Sequence, residues 1–243
     1  MKFCYAFFVS LLLQATIIAQ DTPGNIYLFP GQGADARIFQ ELKLNTAYQL
    51  NFISYPVPER GSTLSEFASS FIPEIDTAKP YVLIGQSIGG MICTELADTL
   101  NPDKVIIISS AKTRYELPFR YSFQKYIPLY RIFPRGIIKL GGRILQPIVE
   151  PDTRKENRPL FKSMICAKDS KYLKRTIGMI VSWNRISCNE KIIHIHGDED
   201  HTIPIRKVNS NYKISKGSHV MVYTRSNEIN EILNSVLSKE LLK

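Results

Sequence analysis

The residues with the clearest chemical potential stand in the segment Gly85-Gln86-Ser87-Ile88-Gly89, which has the pattern Gly-x-Ser-x-Gly. An apolar run at residues 81–84 precedes this segment, and apolar residues at helical spacing follow it over 88–100. That order predicts a strand, a sharp turn and a helix, with the Ser87 hydroxyl exposed on the turn. A helix N-terminus favours negative charge, so Ser87 is predicted to be a nucleophile that attacks an acyl carbonyl. The alternative is a glycine-rich turn with a solvated serine.

A serine nucleophile needs a base, and the base needs an acid to orient it. Gly197-Asp198-Glu199-Asp200 follows an apolar run at 192–196, and Gly217-Ser218-His219 comes later in the chain. The resulting order is Ser87, Asp200, His219, as expected where each residue follows a successive strand. We expect His219 to be the general base and Asp200 the acid. Asp198 remains an alternative acid, because three acidic residues stand together.

The sequence around these residues alternates between short apolar runs and helical patterns. The helical patterns cover residues 64–72, 88–100 and 228–242, and the runs predicted to be strands cover 26–29, 50–55, 81–84, 105–108 and 192–196. This alternation predicts an α/β fold with a doubly wound, mostly parallel sheet. In such sheets the ligand crevice lies at the carboxyl ends of the strands. The three candidate residues are expected at these ends.

With these motifs, essentially the whole sequence after residue 20 resembles an α/β-hydrolase. The family places its acid in Gly-x-x-Asp-x-x-x-Pro, which here runs from Gly197 to Pro204 with Asp200 as the acid. His219 matches the family's Gly-Ser-His loop before the last helix. The resemblance implies a serine hydrolase that cleaves carboxylic esters through an acyl-enzyme, with thioesters or amides as further substrates. It implies neither a cofactor nor a metal, and the pair His194 and His196 lacks a further ligand cluster in sequence.

A second oxyanion donor is expected after the first strand, where the chain reads Phe29-Pro30-Gly31-Gln32-Gly33. The family usually has His-Gly-x-Gly there, so this chain departs at the first position. The donor is a backbone N–H, for which the histidine is not needed. By position we predict Gln32 as this donor, beside the N–H of Ile88, with Gly33 as the near alternative. A purely structural glycine turn is the remaining interpretation.

Two other functions are compatible with these motifs. Phe-Pro-Gly-Gln-Gly also resembles the opening of malonyl-CoA:carrier-protein transacylases, which use a Gly-x-Ser-x-Gly serine too. An acyltransferase would share the acyl-enzyme but use another acceptor. A hydrolase-like protein without catalysis would only bind a ligand, because a fold does not fix a function. The acidic motif at Gly197–Pro204 and the late histidine favour the hydrolase.

Residues 112–182 differ from the rest of the chain, since they hold six prolines, many aromatic residues and no clear buried strand. We predict that they form a helical lid inserted into a core made of residues 21–111 and 183–243. The formal net charge of the chain is +9, and this segment carries 16 basic against 5 acidic residues. Nucleic acid is a poor explanation, because no binding motif accompanies the charge. Two alternatives remain: a solvated surface, or one that meets anionic lipid headgroups or an anionic substrate.

The N-terminus has the pattern of a secretory signal peptide. Lys2 precedes an apolar run, and cleavage is expected after Ala19 or Gln20, so residues 1–20 would be removed. The protein would then be secreted, or periplasmic in a bacterium; an uncleaved anchor or a buried strand are the alternatives. Of the cysteines that remain, Cys93 is predicted to be a buried thiol, whereas pairing of Cys166 with Cys188 stays open.

Overall fold

The computed structural model describes residues 24–45, 47–132, 134, 136, 140–141, 153–188 and 191–238. Within these residues one sheet contains the strands β1 (Asn25–Phe29), β2 (Gln49–Phe52), β3 (Tyr81–Gln86), β4 (Lys104–Ile108), β5 (Ile192–Gly197) and β6 (Tyr212–Ile214). Their order across the sheet is β2-β1-β3-β4-β5-β6, and every neighbouring pair is parallel. The winding direction reverses between β1 and β3. A crevice therefore opens at the carboxyl ends of these two strands.

The helices that the structure describes are α1 (Leu64–Ser69), α2 (Ile88–Thr99), α3 (Phe119–Tyr126), α4 (Leu129–Ile132), α5 (Arg158–Ala167), α6 (Ser170–Ser182), α7 (Met221–Thr224) and α8 (Ser226–Ser238). Two predicted elements are shorter than their sequence patterns. The second strand ends at Phe52, and α1 ends at Ser69 before a separate 3-10 turn, Ile72–Glu74. A capping box between Thr63 and Glu66 sets the start of α1.

Both faces of the central strands are buried. Their sequences are therefore continuously apolar and do not alternate between apolar and polar residues. In β3, Leu83 belongs to the cluster that includes α1 and α2. Its neighbours Val82 and Ile84 point to the opposite face, where they pack in the cluster that includes α8. Helices therefore cover the sheet on both sides, as the sequence predicts for a doubly wound fold.

Helices α3 to α6 lie between β4 and β5 in the chain, within the segment 112–182 that we call the cap. Helices α3 and α4 pack against α6, and α6 also contacts α1 of the core. Side chains directly after the cap fasten the chain to α2. Trp183 Nε1 donates to Glu95 at 2.8 Å, and Arg185 donates to both carboxylate oxygens of Asp98 at 2.6 and 2.9 Å. Residues 142–152 of the cap lie outside the described residues.

The predicted signal peptide, residues 1–20, also lies outside the described residues, so export stays a prediction. In the part of the chain that the structure describes, no helix is long and apolar enough to cross a membrane. Cys93 is a buried free thiol. No disulfide joins Cys166 to Cys188, so the pairing that the sequence left open is not formed.

Candidate active site

The turn between β3 and α2 presents Ser87 in a strained conformation. Its φ of 55° and ψ of −123° lie in a region that residues other than glycine rarely adopt. Hydrogen bonds on both sides hold this backbone: the Ser87 N–H donates to the carbonyl of Ile108 at 3.0 Å, and its carbonyl accepts from the N–H groups of Gly90 and Met91. The hydroxyl is thereby placed above the carboxyl end of the sheet.

The small residues of the Gly-x-Ser-x-Gly pattern are required by close backbone packing. A Cβ added to Gly85 would lie 2.3 Å from the carbonyl oxygen of Gly89, and one added to Gly89 would lie 2.0 Å from that of Phe29. Neither neighbour is a flexible side chain, so any larger residue would push the elements apart. The strand, the helix and the end of β1 can approach one another only because both positions lack a side chain.

The structure brings Ser87, His219 and Asp200 together, although they are far apart in sequence. His219 Nε2 lies 2.8 Å from Ser87 Oγ, and His219 Nδ1 lies 2.8 Å from Asp200 Oδ2. With Nδ1–H donating to the carboxylate, Nε2 of the neutral imidazole is left as the acceptor for the serine proton. This is the geometry that a general base and its orienting acid require.

Asp200 is buried and its carboxylate is well supplied with donors. Oδ1 accepts the backbone N–H groups of Thr202 and Ile203, both at 2.8 Å, while Oδ2 faces His219. Burial raises the pKa of this carboxyl, but the attraction and hydrogen bond of His219, with smaller contributions from His196 and Ile203, more than offset it. The net direction is a lowered pKa, so Asp200 is an anion that fixes the orientation of the imidazole.

The alternative acid, Asp198, is placed elsewhere. Its Oδ1 accepts the N–H of Lys216 at 2.6 Å, and its Oδ2 lies 3.4 Å from Lys213 Nζ. These contacts close the turn between β5 and the loop after β6. Asp198 therefore has a local structural partner, whereas Asp200 is the carboxylate that reaches His219.

His194 and His196 extend the polar chain behind Asp200, and both are fully buried. His196 Nε2 donates to the Ile203 carbonyl at 2.7 Å and lies 3.4 Å from Asp200 Oδ2. Its Nδ1 lies 3.0 Å from His194 Nε2. Burial lowers the pKa of both imidazoles, so they are neutral and act as hydrogen-bonding supports. Among the described residues no group of three or more potential ligands could hold a metal ion.

The loop after β1 approaches Ser87, as the sequence suggests. A Cβ built on Gly31 would lie 3.3 Å from Ser87 Cβ. Within the described chain, the backbone N–H groups of Gln32 and Ile88 have no hydrogen-bond acceptor. Both are thus free to bind an oxyanion beside Ser87, and their role as donors stays a prediction. Gly33 instead packs next to Ile165 of the cap.

The side chain of Gln32 has a role that the sequence did not indicate. Its amide nitrogen donates to the carbonyl of Leu173 at 2.9 Å and to Thr176 Oγ1 at 2.7 Å, both on α6. Thr176 is itself fully buried and donates to the Tyr172 carbonyl at 2.9 Å. The residue that offers the backbone N–H is therefore clamped to the cap. Only tertiary contacts reveal this, since the partners lie more than 140 positions away.

Two further residues support the site and were not singled out from the sequence. Ser110 Oγ donates to the carbonyl of Ser87 at 2.6 Å, which steadies the strained turn. Gln86 Nε2 donates to the carbonyl of His219 at 2.8 Å, which ties the loop of the base to the end of β3. Only their position in the sequence could have indicated this role, because each is a polar residue at the carboxyl end of a buried strand.

Solved structures with the α/β-hydrolase fold share this architecture over most of the chain. An esterase from Exiguobacterium antarcticum is 15% identical, with a TM-score of 0.66 over 89% of this chain and 92% of its own. Est816, described as an N-acyl homoserine lactone degrading enzyme, is 18% identical, with a TM-score of 0.64 over 87% and 92%. A bromoperoxidase from Bacillus anthracis is 15% identical, with a TM-score of 0.65 over 88% and 92%.

The chain therefore has the α/β-hydrolase fold, as the resemblance in sequence predicted. No family model matches the sequence, and no curated protein matches it either. At these levels of identity the solved structures define the fold, while the reaction has to be argued from the residues of the site.

Proposed function

We propose that this protein is a serine hydrolase that cleaves carboxylic esters by way of an acyl-enzyme. The observation that carries the proposal is the unbroken hydrogen-bonded chain from Ser87 Oγ through His219 to Asp200, with 2.8 Å at each step. Neighbours with this fold that are described as esterases are consistent with the ester class. The assignment of roles rests on the geometry of this chain's own residues.

In the first half of the reaction, Ser87 Oγ attacks the acyl carbonyl while His219 Nε2 takes its proton. The charge that develops on the imidazolium is stabilised by Asp200, which is already ionised and oriented. The carbonyl oxygen becomes an oxyanion held by the N–H groups of Gln32 and Ile88. Donors of this kind each stabilise such a transition state by about 3–4 kcal/mol.

In the second half, the protonated His219 returns its proton to the departing alkoxide, and the alcohol leaves. Water then occupies the leaving-group side and is deprotonated by His219 as it attacks the acyl carbonyl. Collapse of this second intermediate releases the carboxylic acid, while His219 Nε2 returns its proton to Oγ and restores the Ser87 hydroxyl. The same residue thus acts once as base and once as acid in each of the two acyl-transfer steps, which suits an imidazole whose second nitrogen is anchored to a carboxylate.

The proposal is tested by hydrolysis of p-nitrophenyl esters of increasing acyl length, measured on the wild type and on Ser87→Ala. We expect Ser87→Ala to lose at least about 1,000-fold in kcat, since triad members act as a unit. Ser69→Ala is the matched control, because Ser69 is exposed and its hydroxyl donates to the Ser65 carbonyl, on the same helix. A fluorophosphonate probe should label the wild type and Ser69→Ala at Ser87.

Undiminished turnover in a folded Ser87→Ala protein would overturn the proposal. So would a wild type that is folded by circular dichroism and neither labelled by the probe nor active on any ester of the panel. Addition of an acceptor alcohol distinguishes the second reaction that the motifs allow: faster release of nitrophenol with an ester as product would assign acyl transfer rather than hydrolysis.

A further inference from the structure

Helix α3 of the cap turns its aromatic face toward solvent, whereas most helices of a globular protein bury theirs. Phe119, Phe123 and Tyr126 follow a spacing of four and three residues, which puts them on one face of the helix. They are 73%, 38% and 82% exposed. The rings of Phe119 and Phe123 contact each other, with centroids 5.8 Å apart, so the face is a continuous apolar surface.

Further exposed apolar side chains follow α3 in the chain. Ile127, Leu129 and Ile132 are 46%, 40% and 75% exposed. Exposed apolar side chains scattered singly are ordinary, but a contiguous group is typical of an interaction site. We call the six residues Phe119, Phe123, Tyr126, Ile127, Leu129 and Ile132 the aromatic patch.

In the sequence, the charged residues that flank the aromatic patch all have one sign. Residues 117–149 contain six basic residues and no acidic one. Three of the six, Arg120, Lys125 and Arg131, are described by the structure and exposed. Two copies of this surface would bring like charges together, so self-association through it is opposed. Apolar side chains surrounded by Lys and Arg are instead complementary to a bilayer with anionic headgroups, where the rings enter the interface and the cations meet phosphates.

The aromatic patch adjoins the loop that carries the acid of the active site. The guanidinium of Arg120 donates to the carbonyls of His201 and Thr202, and Thr202 is one of the two residues whose N–H groups hold Asp200. Tyr121, on the opposite face of the same helix, packs against the core cluster. Helix α3 thus has one side fixed on the core near the site and the other side available to a partner.

We propose that the aromatic patch docks the protein peripherally on anionic membrane surfaces. The patch lies flat on the interface, with Phe119 and Phe123 inserted between headgroups and Lys125 paired with lipid phosphates. This placement brings the cap side of the molecule, and the loop of Asp200 next to it, close to the lipid. The inference is independent of the proposed hydrolysis, because it rests on a surface that takes no part in the triad.

The test is co-sedimentation of the full chain with vesicles of phosphatidylcholine alone and with vesicles containing phosphatidylglycerol at low salt. We expect tighter binding to the anionic vesicles by at least about tenfold, and loss of the difference at high salt. Lys125→Glu should weaken the anionic binding by about fivefold or more. The control Lys79→Glu makes the same charge change at an exposed lysine of the core and should leave binding nearly unchanged.

The apolar part of the surface is tested with Phe119→Ser combined with Phe123→Ser, which should weaken vesicle binding by about tenfold or more. Ile186→Ser is the matched control, because Ile186 is 66% exposed but lies outside the patch. All variants keep the same N-terminal apolar run, so a difference between them reports on the cap. Unchanged unfolding temperatures show that each variant is folded.

Three results would overturn the proposal. Equal binding to neutral and anionic vesicles would remove the role of the charges. Wild-type binding that survives both the serine double variant and Lys125→Glu would place the lipid contact elsewhere. A wild-type dimer in solution that Phe119→Ser with Phe123→Ser converts to a monomer, without any effect on lipid binding, would assign the patch to a second copy of the chain.

Discussion

The core and the cap of this molecule use their polar residues in different ways. In the core, polar side chains form a connected chain that runs from Ser87 through His219, Asp200 and His196 to His194. In the cap, the residues 112–182 carry 16 basic against 5 acidic side chains, while the rest of the protein carries 15 against 17. The chemistry and the surface properties of this protein therefore belong to separate regions, which substitutions can address separately.

The largest effect is expected from the acid of the core. Asp200→Asn keeps the size of the side chain but presents an amide to His219 Nδ1, which favours the wrong tautomer of the base. We expect a loss of about 10⁴-fold in kcat on p-nitrophenyl acetate with little change in fold. Asp198→Asn removes the same charge two residues away and should reduce kcat by less than about threefold. Similar losses in both variants would contradict the assignment of Asp200.

A smaller effect is expected at the hydrogen-bonded link between the loop of the oxyanion donor and α6. Gln32→Met retains the backbone N–H and much of the volume but loses the bonds to Leu173 and Thr176. Since each bond contributes about 1 kcal/mol, we expect kcat to fall by about 5- to 30-fold. KM should change less, because the oxyanion forms only in the transition state.

Thr176→Val is the matched variant on the cap side of this link. It removes one acceptor of the Gln32 amide and leaves the Leu173 carbonyl in place. We expect a fall in kcat of about fivefold, smaller than for Gln32→Met. Full activity in both variants, measured on the same ester, would show that the core holds its oxyanion loop without help from the cap.

The buried histidines of the core predict how stability depends on pH. The pKa of His194 and of His196 is lowered from the ordinary value of 6.5, because burial and, for His194, the charges of His196 and Lys112 oppose protonation. For His196 the carboxylate of Asp200 acts in the opposite direction without reversing the shift. Below pH 6.5 the unfolded chain therefore binds more protons than the folded chain, and stability falls as pH decreases.

Urea unfolding at a series of pH values checks this expectation. The free energy of unfolding should fall by up to about 1.4 kcal/mol per pH unit for each histidine that stays neutral in the fold. His194→Asn should lower this slope by roughly the contribution of one histidine. His201→Asn changes an exposed histidine of the acid loop and is the control. An unaltered slope in His194→Asn would mean that His194 is protonated in the folded state.

The smallest effect is expected where the cap returns to the core. Arg185 holds the exposed carboxylate of Asp98 through two hydrogen bonds. Asp98→Asn should lower the free energy of unfolding by about 1 kcal/mol or less, because half-exposed ion pairs are weak. Ester hydrolysis should stay within about twofold of the wild type. A large loss of activity would show that the contact of Arg185 with Asp98, and not only Gln32, controls the site.

Much of the core could be read from the sequence because its physical signals are local. Strands buried on both faces need continuous apolar runs, and the runs at β3, β4 and β5 mark them. A strained turn between a strand and a helix needs small neighbours, which Gly85 and Gly89 supply. The order of Ser87, Asp200 and His219 then follows from their positions after β3, β5 and β6.

The packing of the cap could not be predicted from the sequence, since its pattern of prolines and aromatic residues is compatible with several arrangements. Burial cannot be told from composition: Tyr121 packs on the core, while Phe119 and Phe123 on the same helix face solvent. The side-chain clamp of Gln32 is likewise invisible in sequence. Its partners are on a helix more than 140 positions away, and only the packing of α6 brings them close.

Local sequence patterns were therefore enough to specify the doubly wound sheet, the serine on the turn between a strand and a helix, and the histidine and acidic cluster at the strand ends. Tertiary packing was needed to establish that Asp200 rather than Asp198 reaches His219, and that no disulfide joins Cys166 to Cys188. It also established that the histidines of β5 support the acid and that the cap presents aromatic rings to solvent. The physical reason is that periodicity and turn residues act within one segment, whereas distances between segments depend on how helices and strands pack.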